Sequence, residues 1–338
     1  MLKKTLGALL TVACLFLPAM AQQNGAAEQP QSFDERLGPD DGAVLAILFG
    51  ANMRGNLDLC DCNHPRGGLA RRIGYLEGFK KKFKSTPVIH VEAGFFWYNS
   101  TGYPKAVMLQ NEQVARAYSR WPFDVINLSR YDLIYAQKLL ASDGFGERVV
   151  ALPMMEKLVS ANGVFGPDVV APAPYLIKEV TAPRLKGRRK IRVGFIGLAE
   201  PLRTSGGLMD GTVKDMFKAA REVVPQARKK SDILVILSHS EMDAAMRLAQ
   251  ENPEVDVIVV GNAEGLFKPR QVGNTYIVSA APGNTQEGDL RVYVDAAGKF
   301  SYKFRSTNLD ATVPTDPAAD QYTKAALQEL RKLQQGVR

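Results

Sequence analysis

Ile47 to Arg72 reads ILFGANMRGNLDLCDCNHPRGGLARR, and the fold turns on this stretch. The apolar run Gly42 to Phe49 reads as a first buried strand. It empties into a loop that holds Cys60, Cys62, His64 and glycines at both ends. Gly68 to Lys84 follows, with Leu69, Ile73, Leu76, Phe79 and Phe83 at helical spacing and Arg and Lys between them. Strand, polar loop and helix form the repeating unit of α/β folds. Reactive residue types just after a strand mark the usual place of a ligand site.

The rest of the chain extends this pattern. Pro87 to Glu92 reads as a second strand, broken by Ala93-Gly94 and followed by the aromatic block Phe95-Phe96-Trp97-Tyr98. Ala106 to Arg120 has helical spacing, and Phe123 to Leu128 reads as a strand leading into a further helix. Ala173 to Val180 and Ile191 to Leu198 read as paired strands. Ile233 to Ser238 and Val255 to Val260 are buried strands with a helix between them, and Leu290 to Arg305 folds back as a hairpin about Asp295 to Gly298. Early strands alternate with helices and later ones pair locally. This predicts an α/β fold, a two-layered β-sandwich flanked by helices, in one domain over residues 42–308, with a C-terminal tail and helix over 309–338.

Composition narrows the class. The chain has 338 residues, 46% hydrophobic and 23% charged, as in ordinary globular proteins. Lys3 and Lys4, the apolar run Leu6 to Leu17 and Ala19-Met20-Ala21 form a secretory signal pattern over residues 1–21, with Gln22 as the expected mature N-terminus. A periplasmic or secreted location follows from it. The apolar run is short for a membrane anchor, and no later segment is long enough to cross a bilayer. The formal net charge of +8 falls to about +6 without the two leader lysines, and the basic residues are dispersed. That balance favours acidic surfaces but is not a nucleic-acid signature. Residues 22–41, rich in Gln, Gly, Pro and Asp, read as a flexible tether.

Taken in order, several motifs resemble the metallophosphoesterases, specifically the catalytic domain of secreted 5′-nucleotidase-like proteins. They are Gly55-Asn56-Leu57, Gly67-Gly68-Leu69-Ala70-Arg71-Arg72, Glu92-Ala93-Gly94, Ser160-Ala161-Asn162, Val193 to Leu198, Leu237-Ser238-His239 and Val255 to Gly261. The resemblance implies a four-layer α/β/β/α sandwich. It also implies two divalent metals at strand ends that activate water for attack on a phosphoester. In the family the ligands are Asp-x-His, Gly-Asp, Asn-His, a single His and Gly-His-x-His.

Here the matching positions hold Asn52-Met53-Arg54, Phe95, Ser129-Arg130, His239 and Gly261-Asn262-Ala263-Glu264. Arg54 cannot ligate, Phe95 has no donor atom, and only His239 keeps the family's residue type. Two readings follow. In the first, the chain keeps the sandwich without the metal pair and binds an anion or an exported protein partner, with Arg54 and Arg130 as the anion-binding candidates. In the second, it is a metal-dependent phosphoester hydrolase whose remodelled site holds a single metal on some of Asn52, His239, Asn262 and Glu264, with Glu92 or His64 as further candidates. A divalent cation is implied only by the second. The family's nucleoside-gripping C-terminal domain is not expected, so nucleotide specificity does not follow.

Simpler expectations stand beside each candidate. Arg54 would pair with Glu92 or Glu264, and Arg130 with Asp132. His239 would be a buried, satisfied histidine, His90 a core residue, and Phe95 to Tyr98 a filler for the vacated site. Cys60, Cys62 and His64 would form a structural loop, hold a soft metal or react with a thiol partner.

Overall fold

The structure is a computed structural model that describes residues 31–100, 104–140, 144–166, 170–185, 187, 190–201, 211–263 and 268–336. The expected leader, the first part of the expected tether, and Glu264 lie outside the described residues.

The first half runs α1 (Phe33–Leu37), β1 (Leu45–Gly50), α2 (Leu69–Lys82), β2 (Val88–Glu92), α3 (Lys105–Arg120), β3 (Val125–Asn127), α4 (Arg130–Leu140), α5 (Phe145–Val150) and β4 (Leu158–Val159). The second half runs β5 (Tyr175–Thr181), β6 (Lys190–Ala199), α6 (Met216–Arg228), β7 (Ile233–His239), α7 (Met242–Glu251), β8 (Val257–Val260), β9 (Arg270–Val272) and β10 (Thr275–Ser279). It closes with β11 (Gln286–Val294), β12 (Phe300–Asn308) and α8 (Pro317–Gln334).

The strands form two six-stranded sheets, in the orders β12-β11-β1-β2-β3-β4 and β5-β6-β7-β8-β10-β9. Each sheet has a parallel centre, β1 to β4 in one and β6-β7-β8-β10 in the other, with antiparallel strands at its margin. The sheets face one another. Ile47, Phe49, Ile89 and Val91 from the first meet Val193, Phe195, Val235 and Leu237 from the second in one apolar cluster. The alternate residues of β1, Ala46 and Leu48, pack outward on Tyr75, Leu76 and Phe79 of α2. On the far side, Ile196, Leu234 and Ile236 pack on Met216, Ala220 and Val224 of α6. Both faces of the parallel strands are therefore covered, which is why the strands read as continuous apolar runs. The expected four-layer sandwich is the one found.

The tether expectation fails over its last residues. Ser32 and Glu35 form a capping box that starts α1: the Glu35 carboxylate accepts from Ser32 N–H at 2.7 Å, and Ser32 Oγ accepts from Glu35 N–H at 3.3 Å. Phe33 meets Tyr75 edge-on, Leu37 is buried, and Arg291 binds both Asp41 and the Leu37 carbonyl. Polar neighbours hid two anchoring apolar residues. At the other end α8 is part of the same body, because Tyr322 packs edge-on against Trp121 and donates to the Gln113 carbonyl of α3 at 2.7 Å.

Candidate functional site

The parallel strands of both sheets end at one place, and the strand ends and following loops there carry the described positions matched to the family's metal ligands. Asn52 follows β1, Phe95 follows β2, Ser129 and Arg130 follow β3, His239 ends β7 and Gly261 follows β8. The centre is a cross-sheet pair. Asn52 Nδ2 donates to the Gly261 carbonyl at 2.6 Å, which turns its Oδ1 toward His239 Nε2 at 3.3 Å. Oδ1 can only accept, so these partners assign the proton of a neutral His239 to Nε2. That nitrogen then has no lone pair to offer a metal. Burial, and next the charges of Arg130 and Arg54, pull the His239 pKa down to about 3. The imidazole is neutral across the working pH range.

Close approach is built in with small residues. A Cβ on Gly261 would sit 2.7 Å from the Ala93 carbonyl, and one on Gly94 would sit 3.2 Å from His239 Cβ. Three non-glycine residues of the site hold left-handed backbone, Asn52 (φ 63°), Arg54 (φ 51°) and Phe95 (φ 60°). Such strain persists only where surrounding bonds over-determine it. Here the Asn52 N–H donates to the Gly94 carbonyl at 2.9 Å, Arg54 N–H to Phe95 at 2.9 Å, and Gly55 N–H to Phe96 at 2.8 Å.

Asp132 is the second device that holds this backbone. Its buried carboxylate accepts from Phe95 N–H (2.7 Å), Trp97 N–H (3.0 Å), Ser129 N–H (2.9 Å) and Ser129 Oγ (2.6 Å). Burial pushes its pKa up to about 6, against these donors, which favour the charged form. The expected Asp132–Arg130 pair is therefore replaced by a hub that ties the β2 loop to the start of α4. The sequence signal was present in Ser129-x-x-Asp132 at a helix start, a capping pattern.

Above the buried pair lies a stack of side chains. Phe95 and Tyr131 stack at 4.2 Å between ring centroids. Arg54 Cζ lies 4.9 Å from the Phe95 ring centre, and Arg130 Cζ lies 4.6 Å from that of Tyr131. Phe95 also stands edge-on to His239 at 5.9 Å. Arg54 is exposed and Arg130 half-buried. Among the described residues neither guanidinium has a carboxylate partner. Cation–π contacts hold the two groups but do not cancel their charge.

Glu92, the expected partner of Arg54, belongs instead to Arg72. Arg72 Nη1 meets Glu92 Oε2 at 2.5 Å and its Nε meets Glu287 Oε2 at 3.0 Å, with all three side chains buried. Tyr118 Oη donates to Glu92 at 2.9 Å, and His90 Nε2 lies 3.3 Å from Glu287 Oε1. Burial alone would lower the Arg72 pKa, but the charges of Glu287 and Glu92 outweigh it and raise the pKa. His90 is a core residue as expected, but within this ionic network.

The cysteine loop is separate. Cys60 and Cys62 are joined as a disulfide and His64 is exposed. Among the described residues no group of three His, Cys, Asp or Glu side chains is placed to hold a metal, and with Cys60 and Cys62 bonded to one another the loop presents no free thiolate in this structure. Of the described positions matched to the family's ligands, those with side-chain lone pairs are Asn52, Ser129, His239 and the half-buried Asn262, and none of these four is a carboxylate.

No family model matches the chain. A 2′,3′-cyclic-nucleotide 2′-phosphodiesterase/3′-nucleotidase of Salmonella typhimurium is 32% identical over 112 residues, which are 28% of this chain and 17% of that protein. The metallophosphoesterase YunD of Bacillus subtilis, itself uncharacterized, is 26% identical over 108 residues, 32% of this chain and 22% of its own. The chain thus spans well under half the length of these curated relatives. The solved 5′-nucleotidase precursor of Thermus thermophilus superposes with a TM-score of 0.65 at 21% identity, over 86% of this chain and 60% of that one. The fold is that of the 5′-nucleotidase-like metallophosphoesterases. Among the described residues no helix is long and apolar enough to cross a membrane.

Proposed function

We propose that this chain is an exported binding protein, which uses the nucleotidase-like scaffold without its two-metal chemistry and holds a small oxyanion between Arg54 and Arg130. The observation that carries this reading is the exchange of charge at the strand ends. The described residues do not suit a pair of divalent cations: His239 is neutral with Nε2 committed to Asn52, Phe95 has no donor, and two guanidiniums flank the site. The same arrangement suits an anion. Arg130 Nη2 donates to Tyr131 Oη at 2.5 Å, and the other N–H donors of the two guanidiniums suit forked hydrogen bonds to an oxyanion. The leader-like residues 1–21 support export.

Calorimetric titration with inorganic phosphate tests the reading. Each charge-assisted hydrogen bond is worth about 1.5–3 kcal/mol, so Arg54→Gln and Arg130→Gln should each weaken binding by about tenfold or more. Equal affinity of the wild type and the double variant would refute it. The hydrolase reading is supported by the 5′-nucleotidase-like metallophosphoesterase fold, by the partial match to a cyclic-nucleotide phosphodiesterase/3′-nucleotidase and by the retained His239. Phosphoester hydrolysis that chelator abolishes and metal restores would establish it instead.

A further inference from the structure

The loop between Leu57 and Leu69 holds the Cys60–Cys62 disulfide. Its base is closed by Leu69 N–H donating to the Leu57 carbonyl at 2.9 Å, and Gly67 N–H donates to Leu309 at 2.9 Å. Within it Cys60 N–H donates to the Arg66 carbonyl at 2.8 Å, and Arg71 Nη1 donates to the Pro65 carbonyl at 2.7 Å. The loop is shaped by backbone hydrogen bonds on both flanks of the cysteines. Cys60 and Cys62 are separated by one residue, so their bond closes a very short loop and removes little entropy from the unfolded chain. A structural cross-link normally ties distant segments. This one ties residues that the chain already holds together.

The two sulfurs are not equivalent. Cys62 is exposed, as are Asp61, Asn63, His64 and Pro65 around it, while Cys60 is half-buried. Cys60 Sγ accepts the Arg66 N–H at 3.3 Å. An amide donor aimed at sulfur stabilises a thiolate more than a thiol, which makes Cys60 the better leaving group.

We infer that Cys60–Cys62 is a redox-active disulfide that accepts two electrons from an exposed dithiol on a partner protein. One partner thiolate attacks Cys62 Sγ, the Cys60–Cys62 bond breaks, and Cys60 leaves as a thiolate held by Arg66 N–H. The second partner thiolate then attacks the partner sulfur of the mixed disulfide and releases Cys62. The partner ends as a disulfide and this chain as two thiols, with the partner's two protons passing to Cys60 and Cys62 through solvent. This activity is independent of the arginine pair and does not rest on anion binding.

The test uses the oxidised full chain and a synthetic peptide with two cysteines separated by two residues. The peptide should be oxidised mole for mole, at least about tenfold faster than by oxidised glutathione at equal concentration. Reduction should leave the circular dichroism and melting temperature of the chain nearly unchanged. Cys60→Ser, mixed with the oxidised peptide, should accumulate a mixed disulfide at Cys62, and Cys62→Ser should accumulate far less at Cys60. A rate no faster than glutathione, unfolding on reduction, or equal trapping by the two variants would overturn the proposal.

Discussion

His239 Nε2 lies 3.3 Å from Asn52 Oδ1, and this contact joins the end of β7 in one sheet to the loop after β1 in the other. The Asn52 amide is spent at both ends, since its Nδ2 also donates to the Gly261 carbonyl. In this structure the Asn52 amide bonds to protein groups on both sides. The consequences can be measured.

Asn52 carries two loads, its side-chain bonds and a left-handed backbone. Asn52→Ala loses both bonds, leaves buried partners unsatisfied and places a Cβ residue at φ 63°. Asn52→Gly loses the bonds but not the backbone comfort. Chemical denaturation should show both variants destabilised, with alanine worse than glycine by about 1–2 kcal/mol. Equal stabilities would show that the backbone is not strained.

His239 sets a pH dependence with a definite sign. Its folded pKa of about 3 lies below its unfolded value of about 6.5. The unfolded chain therefore binds the extra proton between these values, and stability falls as pH drops below about 6.5 toward 3. By pH 5 the loss is about 2 kcal/mol. Asp132 works in the opposite sense, because its folded pKa of about 6 lies above the unfolded value, so its contribution declines as pH rises from about 4 to 6. Urea midpoints of the wild type and His239→Gln at pH 7 and pH 5 isolate the histidine. The variant should lose less stability on acidification, and an unchanged loss would contradict the buried neutral imidazole.

Arg72 neutralises two buried carboxylates, Glu92 and Glu287. Arg72→Leu keeps much of the volume but strands both charges. Removing one partner of a buried ionic network costs about 3–5 kcal/mol. The double replacement Glu92→Gln with Glu287→Gln, made in the Arg72→Leu background, should recover part of that loss. A loss below about 1 kcal/mol for Arg72→Leu alone would mean that water reaches the network.

Much of this architecture was legible in the sequence. Ile47, Phe49, Val91 and Val235 sit in runs that are apolar on both faces, and the turn residues between runs mark the strand ends where the site forms. The site positions were legible too, through the order of their motifs. Partnerships were not. Arg72 reaches Glu287 across 215 positions, a pairing that no local pattern encodes. Local spacing pairs Asp132 with Arg130, yet its carboxylate turns inward to the nearby Ser129 and to two N–H groups, of Phe95 and Trp97, that only the fold brings to it. The α1 helix was missed because Phe33 and Leu37 are too few to give a period, although Ser32 and Glu35 announce its start.

The proposal of a metal-free anion site rests on two arginines and a hydrogen-bonded Asn52–His239 pair at the strand ends. Equilibrium dialysis of the purified chain against Mn²⁺ or Zn²⁺, followed by metal analysis, tests it most directly. The account predicts well under one ion per chain, unaffected by Asn52→Ala or His239→Gln. Two ions per chain, lost in either variant, would contradict it.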